Sequence, residues 1–147
     1  VLAKMEARGI KLDLGVLEEK GRRIRQELGQ LQGKIYSQAG CDFNINSPRQ
    51  LSEVLFKKLK LPTENLRKTP GRVLSTRESE LLKLKNLHPI IGLILRWRQL
   101  EKLKDTYIDA LPNFIDKRGR IHPRFIQTGT STGRLSCAEP NLQNLPP

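Results

Sequence analysis

Aromatic side chains are scarce in this chain of 147 residues: one Trp, two Tyr and four Phe make up 5% of it. The hydrophobic fraction is also low at 37%, so a core has to be modest and aliphatic, drawn from the many Leu and Ile residues. Cys41 and Cys137 are the two cysteines. They lie far apart in no metal-like spacing, which argues against a disulfide framework and for free thiols in a reducing compartment. His88 and His122 stand apart from any Cys or Asp cluster, so neither a zinc site nor any other metal site is expected. The longest apolar run, Ile90 to Leu95, is broken by Gly92 and is far too short to cross a bilayer, so no membrane partner is expected. Acidic residues are few as well: 15 Asp and Glu against 27 Lys and Arg leave a net charge of +12. Such an excess favours polyanions and points to nucleic acid. Basic ribosomal and membrane-surface proteins share it, so the charge names a class of partner and no more. The chain opens on Val1 and closes on Pro147 inside a motif; both ends are expected to be truncated, and any targeting signal to have gone with the N-terminus.

What is present is helical periodicity. Asp13 occupies an N-cap position before a stretch that runs to about Ala39. Leu17, Ile24, Leu28, Leu31 and Ile35 recur on one face, and Lys20, Arg22, Arg23 and Lys34 lie on the other. Gly21 and Gly29 each weaken this helix by about 1 kcal/mol relative to Ala. After a break at Gly40-Cys41-Asp42, Ser47 is a cap and Pro48 a first helical residue for a short helix to about Leu59. Residues 60 to 74 read as an irregular basic loop, with Pro62, Pro70 and Gly71. Ser75 and Glu78 have capping-box spacing and predict a short helix to about Leu87. Pro89 opens a second long helix to about Ala110. Two long helices bracketing two short ones predict an antiparallel hairpin with a cap at its tip. Beyond Pro112 the turn Lys117-Arg118-Gly119-Arg120 leads into a strand over Ile121–Gln127. The expected class is mainly α with a small β part (α+β).

The densest functional signal is Gln127-Thr128-Gly129-Thr130-Ser131-Thr132-Gly133-Arg134-Leu135-Ser136, followed by Glu139-Pro140-Asn141-Leu142-Gln143-Asn144-Leu145-Pro146. Apolar residues are few, so burial does not explain it. It offers hydroxyls, one guanidinium and several carboxamides, with glycines that let the backbone approach a ligand. Asn, Gln and Arg donate to the purine N3 and pyrimidine O2 acceptors that every base pair shows in the minor groove. A protein that tests pairing geometry without reading sequence needs such a set. The bland alternative is a polar, turn-rich loop.

The run Thr-x-Thr-Gly-Arg-Leu-Ser, then Pro-Asn-Leu-Gln-Asn-Leu-Pro, resembles a signature of family A DNA polymerases, the bacterial DNA polymerase I group. The resemblance extends along the chain through Leu2–Glu6 with Gly9–Asp13, Phe43–Ser47 with Gln50-Leu51, Lys68-Thr69, Ser75-Thr76, His88-Pro89-Ile90 and Leu100–Tyr107. It implies a thumb subdomain over residues 1–112, with its tip at about 40–87, and the beginning of a palm over 113–147. Asn44, Asn46 and Ser47 match positions that hold the DNA backbone; Arg98 and Lys102 match cations facing the duplex. Arg134 matches an arginine that reaches the minor groove at the primer terminus, with Thr132 beside it, and Asn141, Gln143 and Asn144 match carboxamides nearby. Simpler readings stand beside these. Arg98 and Lys102 could be solvated charges contacting Glu101 and Asp105, Asn44 and Asn46 could shape a turn, and Arg134 could pair with Glu139. Ser131 and Cys137 depart from the commoner Ala and Ser, small-for-small changes.

The resemblance implies a fragment that grips primer–template DNA and carries no catalytic residue and no cofactor of its own. The parent would add deoxynucleotides to a primer 3′ end in replication or repair, as a monomer. It would use two Mg²⁺ ions held by aspartates, the first in an Asp-Tyr-Ser-Gln-Ile-Glu-Leu-Arg-like motif expected beyond Pro147. A bacterial parent would be cytoplasmic and nucleoid-associated; an organelle or nucleus stays open. The rival is a non-catalytic basic DNA-binding module on the same scaffold.

Overall fold

The computed structural model describes residues 1–140 and 142. The chain divides into two units, Val1–Arg25 with Lys102–Pro147, and Gln26–Glu101. The secondary structure is α+β, mostly helical with two small antiparallel sheets.

Helix α1 spans Leu2–Arg8 and ends at Gly9, whose φ of 66° lies in the left-handed region. A side chain there is barred twice over, because a Cβ would sit 2.6 Å from the Ile121 carbonyl and 2.7 Å from the His122 ring. Strand β1 (Ile10–Lys11) pairs antiparallel with β2 (Arg120–Ile121). Neither α1 nor this pairing is foreshadowed by periodicity, since two-residue strands are too short to alternate. The long helix α2 runs over Leu14–Ala39. Asp13 caps it as expected: its Oδ1 accepts the Val16 N–H at 3.2 Å.

In the unit of residues 26–101, the expected seam of α2 is inward: Leu28, Leu31 and Ile35 are buried, as is Ala39 at the helix end, while Lys34 is exposed. Helix α3 (Pro48–Ser52) begins where Ser47 and Pro48 predict and continues as a π-helical turn over Glu53–Lys58. The basic segment after it is less irregular than expected. Thr69 N–H donates to the Val73 carbonyl at 2.7 Å and Ser75 N–H to the Arg67 carbonyl at 2.8 Å, which folds residues 67–75 back on themselves.

The capping box expected at Ser75 does not form. Helix α4 is Glu78–Lys83, and its cap position falls on Arg77. The Ser75 hydroxyl is taken by the Arg77 N–H at 3.4 Å instead. Glu80, the buried acid of α4, accepts the Arg67 N–H at 3.1 Å and the Lys83 ammonium at 3.0 Å. These bonds hold its carboxyl below the usual range, the backbone donor of Arg67 contributing most. Helix α5 (Pro89–Leu103) turns Ile90, Ile91, Ile94, Trp97 and Leu100 inward. An ion pair from Arg96 to Glu27 at 3.1 Å joins it to α2.

In the other unit, α5 gives way to a π-helical turn over Lys104–Ile108 and a 3₁₀ turn over Leu111–Phe114. Tyr107, Leu111 and Ile121 form a small core, flanked by Leu12, Leu17, Leu103, Ile115 and Leu142. Gly21 on α2 is buried against Ile108, and a Cβ there would lie 2.6 Å from the Ile108 Cγ2. The strand expected over Ile121–Gln127 is divided, because Pro123 has no N–H to give a ladder. Strand β3 (Arg124–Ile126) pairs instead with β4 (Ser136–Ala138), Phe125 opposite Cys137.

Candidate nucleic-acid interface

The hairpin β3–β4 lifts the Thr/Gly/Arg run out of the core as a loop over residues 127–135. At its base a Cβ on Gly129 would fall 2.7 Å from the Ser136 hydroxyl, so backbone and strand are in close approach. Within the loop the Thr130 hydroxyl donates to the Arg134 carbonyl at 2.7 Å, and the Gly133 N–H to the Thr130 carbonyl at 3.4 Å. Gly133 supports that turn with φ 73°. Thr132 and Arg134 are both exposed. The ion pair from Arg134 to Glu139 does not form, and Arg134 has no carboxylate partner among the described residues. Asn141, Gln143 and Asn144 lie outside the described residues.

Lys102 sits in the last turn of α5, where a cation favours the helix dipole. It is exposed and forms no ion pair among the described residues. Asp105, its suggested partner, is taken by Lys104 at 2.9 Å. Bonds to Asp105 first and Asp109 second push the Lys104 ammonium up to about 12.

Asn44, Asn46, Ser47 and Arg98 belong to the other unit. Asn44 does shape a turn: its Oδ1 accepts the Asn46 N–H at 3.0 Å, and its own N–H donates to Gln50 Oε1 at 2.8 Å. Ser47 caps α3 by accepting the Gln50 N–H at 3.4 Å. The Asn46 side chain is exposed and makes no hydrogen bond among the described residues. Arg98 is the departure from expectation. Its guanidinium is half-buried and bonded to the carbonyl and hydroxyl of Thr76, not to Glu101. Burial lowers its pKa from the ordinary arginine value.

Residues 15–147 match the model of DNA polymerase family A. The chain belongs to DNA polymerase family A. It is 49% identical to the thermostable DNA polymerase I of Thermus filiformis and 46% identical to that of Thermus aquaticus. In each case 99% of this chain and 18% of the relative is covered. The DNA polymerase I of Helicobacter pylori is 47% identical, over 99% of this chain and 16% of its own length. The chain therefore spans less than a fifth of the curated relatives it matches. Among solved structures, the POL domain of Pol1 from M. smegmatis in complex with DNA primer–template and dNTP superposes with a TM-score of 0.86 at 40% identity. That match covers 99% of this chain and 25% of the other.

Two contacts of Glu6 on α1 escape the sequence. His122 faces an acceptor at each ring nitrogen: the Glu6 carbonyl lies 2.7 Å from Nδ1 and Asp116 Oδ2 lies 2.6 Å from Nε2. A neutral imidazole carries one N–H and satisfies one of them, whereas the imidazolium satisfies both. The His122 pKa is accordingly raised, by Asp116 first and the Glu6 carbonyl second. Asp116 is held down at about 2 by His122 first and then by the Arg120 N–H. Arg8, Lys117, Arg118, Arg120 and His122 line an open cleft of about 550 Å³ beside this pair. The second missed contact is the Glu6 carboxylate, whose Oε1 accepts the Phe125 N–H at 2.7 Å. In the sequence His122 stands apart from any cluster and Glu6 lies in no periodic segment, so nothing local signals either.

Proposed function

We propose that the chain is the thumb (residues 1–112, tip at about 40–87) and the beginning of the palm (113–147) of a template-directed DNA polymerase. In this reading it grips the primer–template duplex by backbone and minor-groove contacts. The observation that carries the reading is Arg134: an exposed guanidinium with no carboxylate partner among the described residues, on a hairpin loop braced by its own hydrogen bonds. Its N–H groups would meet the N3 and O2 acceptors at the primer terminus, with the Thr132 hydroxyl beside them. Asn141, Gln143 and Asn144 are given the same role on the sequence motif. Asn46 and Ser47 would hold phosphates at the tip, with Asn44 setting their turn, and Lys102 would add an exposed charge toward the backbone. Arg98 stays in the set on its family position, its charge fixed by Thr76.

The parent enzyme would add deoxynucleotides to a primer 3′ end, in replication or repair, as a cytoplasmic monomer of a bacterial cell. Two Mg²⁺ ions would there activate the primer hydroxyl and stabilise the leaving group. Among the described residues no three His, Cys, Asp or Glu side chains are grouped to hold a metal. On the family resemblance the ions are assigned to aspartates of the parent.

Fluorescence anisotropy of a labelled DNA duplex titrated with the chain tests the grip. Affinity should be independent of sequence and fall steeply between about 50 and about 200 mM salt. Lys102→Ala should lower it equally for all sequences and reduce the salt slope by about one unit. An unchanged slope would return Lys102 to the solvated helix surface; binding without salt dependence would end the backbone-gripping role.

A further inference from the structure

The candidate minor-groove loop stands on a thin support. Strands β3 and β4 share three residue pairs, Arg124 with Ala138, Phe125 with Cys137 and Ile126 with Ser136. A two-stranded ladder this short is marginal by itself. Each of its strands also has a second edge whose N–H and C=O groups need partners. On β3 the amide of Phe125 finds one 119 residues away, in the carboxylate of Glu6, at 2.7 Å. The same residue takes a second bond through its backbone, because its carbonyl accepts from His122 Nδ1 at 2.7 Å. Glu6 thus holds the incoming strand at His122 and again at Phe125, two residues before the loop begins. Glu6 itself is half-buried on α1, and the His122 side chain is about a third exposed.

We infer that Glu6 is a positioning residue for the Arg134 loop, a carboxylate clip on the outer edge of β3 that sets where Thr132 and Arg134 are presented. The functional half of this inference rests on the reading of Arg134 proposed above. The physical half does not. The loop's own constraints, the Thr130 hydroxyl on the Arg134 carbonyl and the Gly133 turn, fix its internal shape and leave its placement on the strands to whatever fixes β3. A hydrogen bond to an ionised acceptor is about twice as strong as one between neutral groups, so the clip outweighs a ladder bond.

Hydrogen exchange followed by NMR on the full chain separates the two halves. Glu6→Ala should speed exchange of the Phe125 amide by about 10- to 100-fold, the equivalent of one charge-assisted bond, and leave the Gly133 amide, bonded within the loop, unmoved. Amides of the other unit, such as Leu51 and Leu81, should be unmoved. Glu6→Gln keeps an acceptor oxygen at the same reach and should restore most of the protection. Should Glu6→Ala not fold, Glu6→Asp draws the carboxylate back by one methylene and should free the same amide. Unchanged protection of Phe125 in a folded Ala or Asp variant overturns the inference.

The functional arm uses the parent polymerase and the ratio of matched to mismatched primer extension. Glu6→Ala should shrink that ratio in the direction of Arg134→Ala, and the double variant should shrink it no further. If Arg134→Ala alone leaves the ratio unchanged, the role proposed for Arg134 fails while the exchange result still decides the clip. If Arg134→Ala shrinks the ratio and Glu6→Ala does not, the positioning role fails.

Discussion

Gly21 and Gly29 lie on the same helix eight residues apart, and a helix scale treats them alike: replacing either by Ala should stabilise by about 1 kcal/mol. Their surroundings separate them. At Gly29 a new Cβ meets nothing within 4 Å, and the residue is exposed. At Gly21 it lands 2.6 Å from the Ile108 Cγ2, about an ångström inside van der Waals contact. Ile108 is 8% exposed and β-branched, so its methyl group has little room to rotate away. Overpacking of this kind costs about 1–3 kcal/mol. Gly29→Ala is therefore expected to stabilise the chain by about 1 kcal/mol. Gly21→Ala should come out between neutral and about 2 kcal/mol destabilised, the clash offsetting the gain in propensity. Urea denaturation followed by far-UV circular dichroism reads both. A double-mutant cycle with Ile108→Ala, which removes the offending methyl, should erase the penalty at Gly21. Equal stabilisation by the two single variants, or a penalty at Gly21 that survives Ile108→Ala, would refute the steric account.

Other outcomes follow from the charged groups. In the parent polymerase, Arg134→Ala should slow extension of a matched primer strongly, a charge-assisted bond being worth about 1.5–3 kcal/mol. It should slow a mismatched primer far less, because displaced acceptors never made that bond well. Equal slowing of both would leave Arg134 a scaffold or phosphate contact. An NMR titration of His122 should give a pKa above 6.5, and Asp116→Asn should bring it down. Because the His122 pKa is raised on folding, its share of stability is full below 6.5 and lost as pH rises through the raised value. Asp116 is lowered from 3.8 to about 2, so its share is present above 3.8 and lost as pH falls toward 2. The contact should thus be strongest between those limits, and amide exchange near Glu6 and His122 should be slowest there.

Local features were legible in the residues. Asp13, Ser47 and Pro48 act within three positions of themselves, so their type and spacing suffice to place a helix start. The signature around Arg134 was legible too, because polar residues that burial cannot explain stand out. Most of the failures are long-range; the exception is Pro123, which divides the expected strand from within. Ser75 has the spacing of a capping box, but Thr76 beside it is held by Arg98 from 22 residues away, and the helix starts later. Arg98 looks like a surface cation for the same reason: helix periodicity gives the side that it is on and not the carbonyl that it finds. The bonds of Glu6 to His122 and Phe125, and the β1–β2 pairing, join residues more than a hundred positions apart, which no window along the chain contains.

That distance has a consequence for how the chain is made. Residues 26–101 are one uninterrupted stretch, whereas the other unit is assembled from Val1–Arg25 and Lys102–Pro147. On the ribosome the uninterrupted unit is complete while its partner is still half-synthesised, and domains commonly fold as they emerge. Ile10 has to wait for Ile121, and Glu6 for Phe125, before either bond can close. Closing so long a loop costs more entropy than closing a local one, but the cost grows only with the logarithm of length. An already folded insert shortens the effective loop further. A nascent chain arrested just after residue 101 has cleared the ribosomal exit tunnel should therefore protect the 26–101 stretch from protease while leaving residues 1–13 open to cleavage.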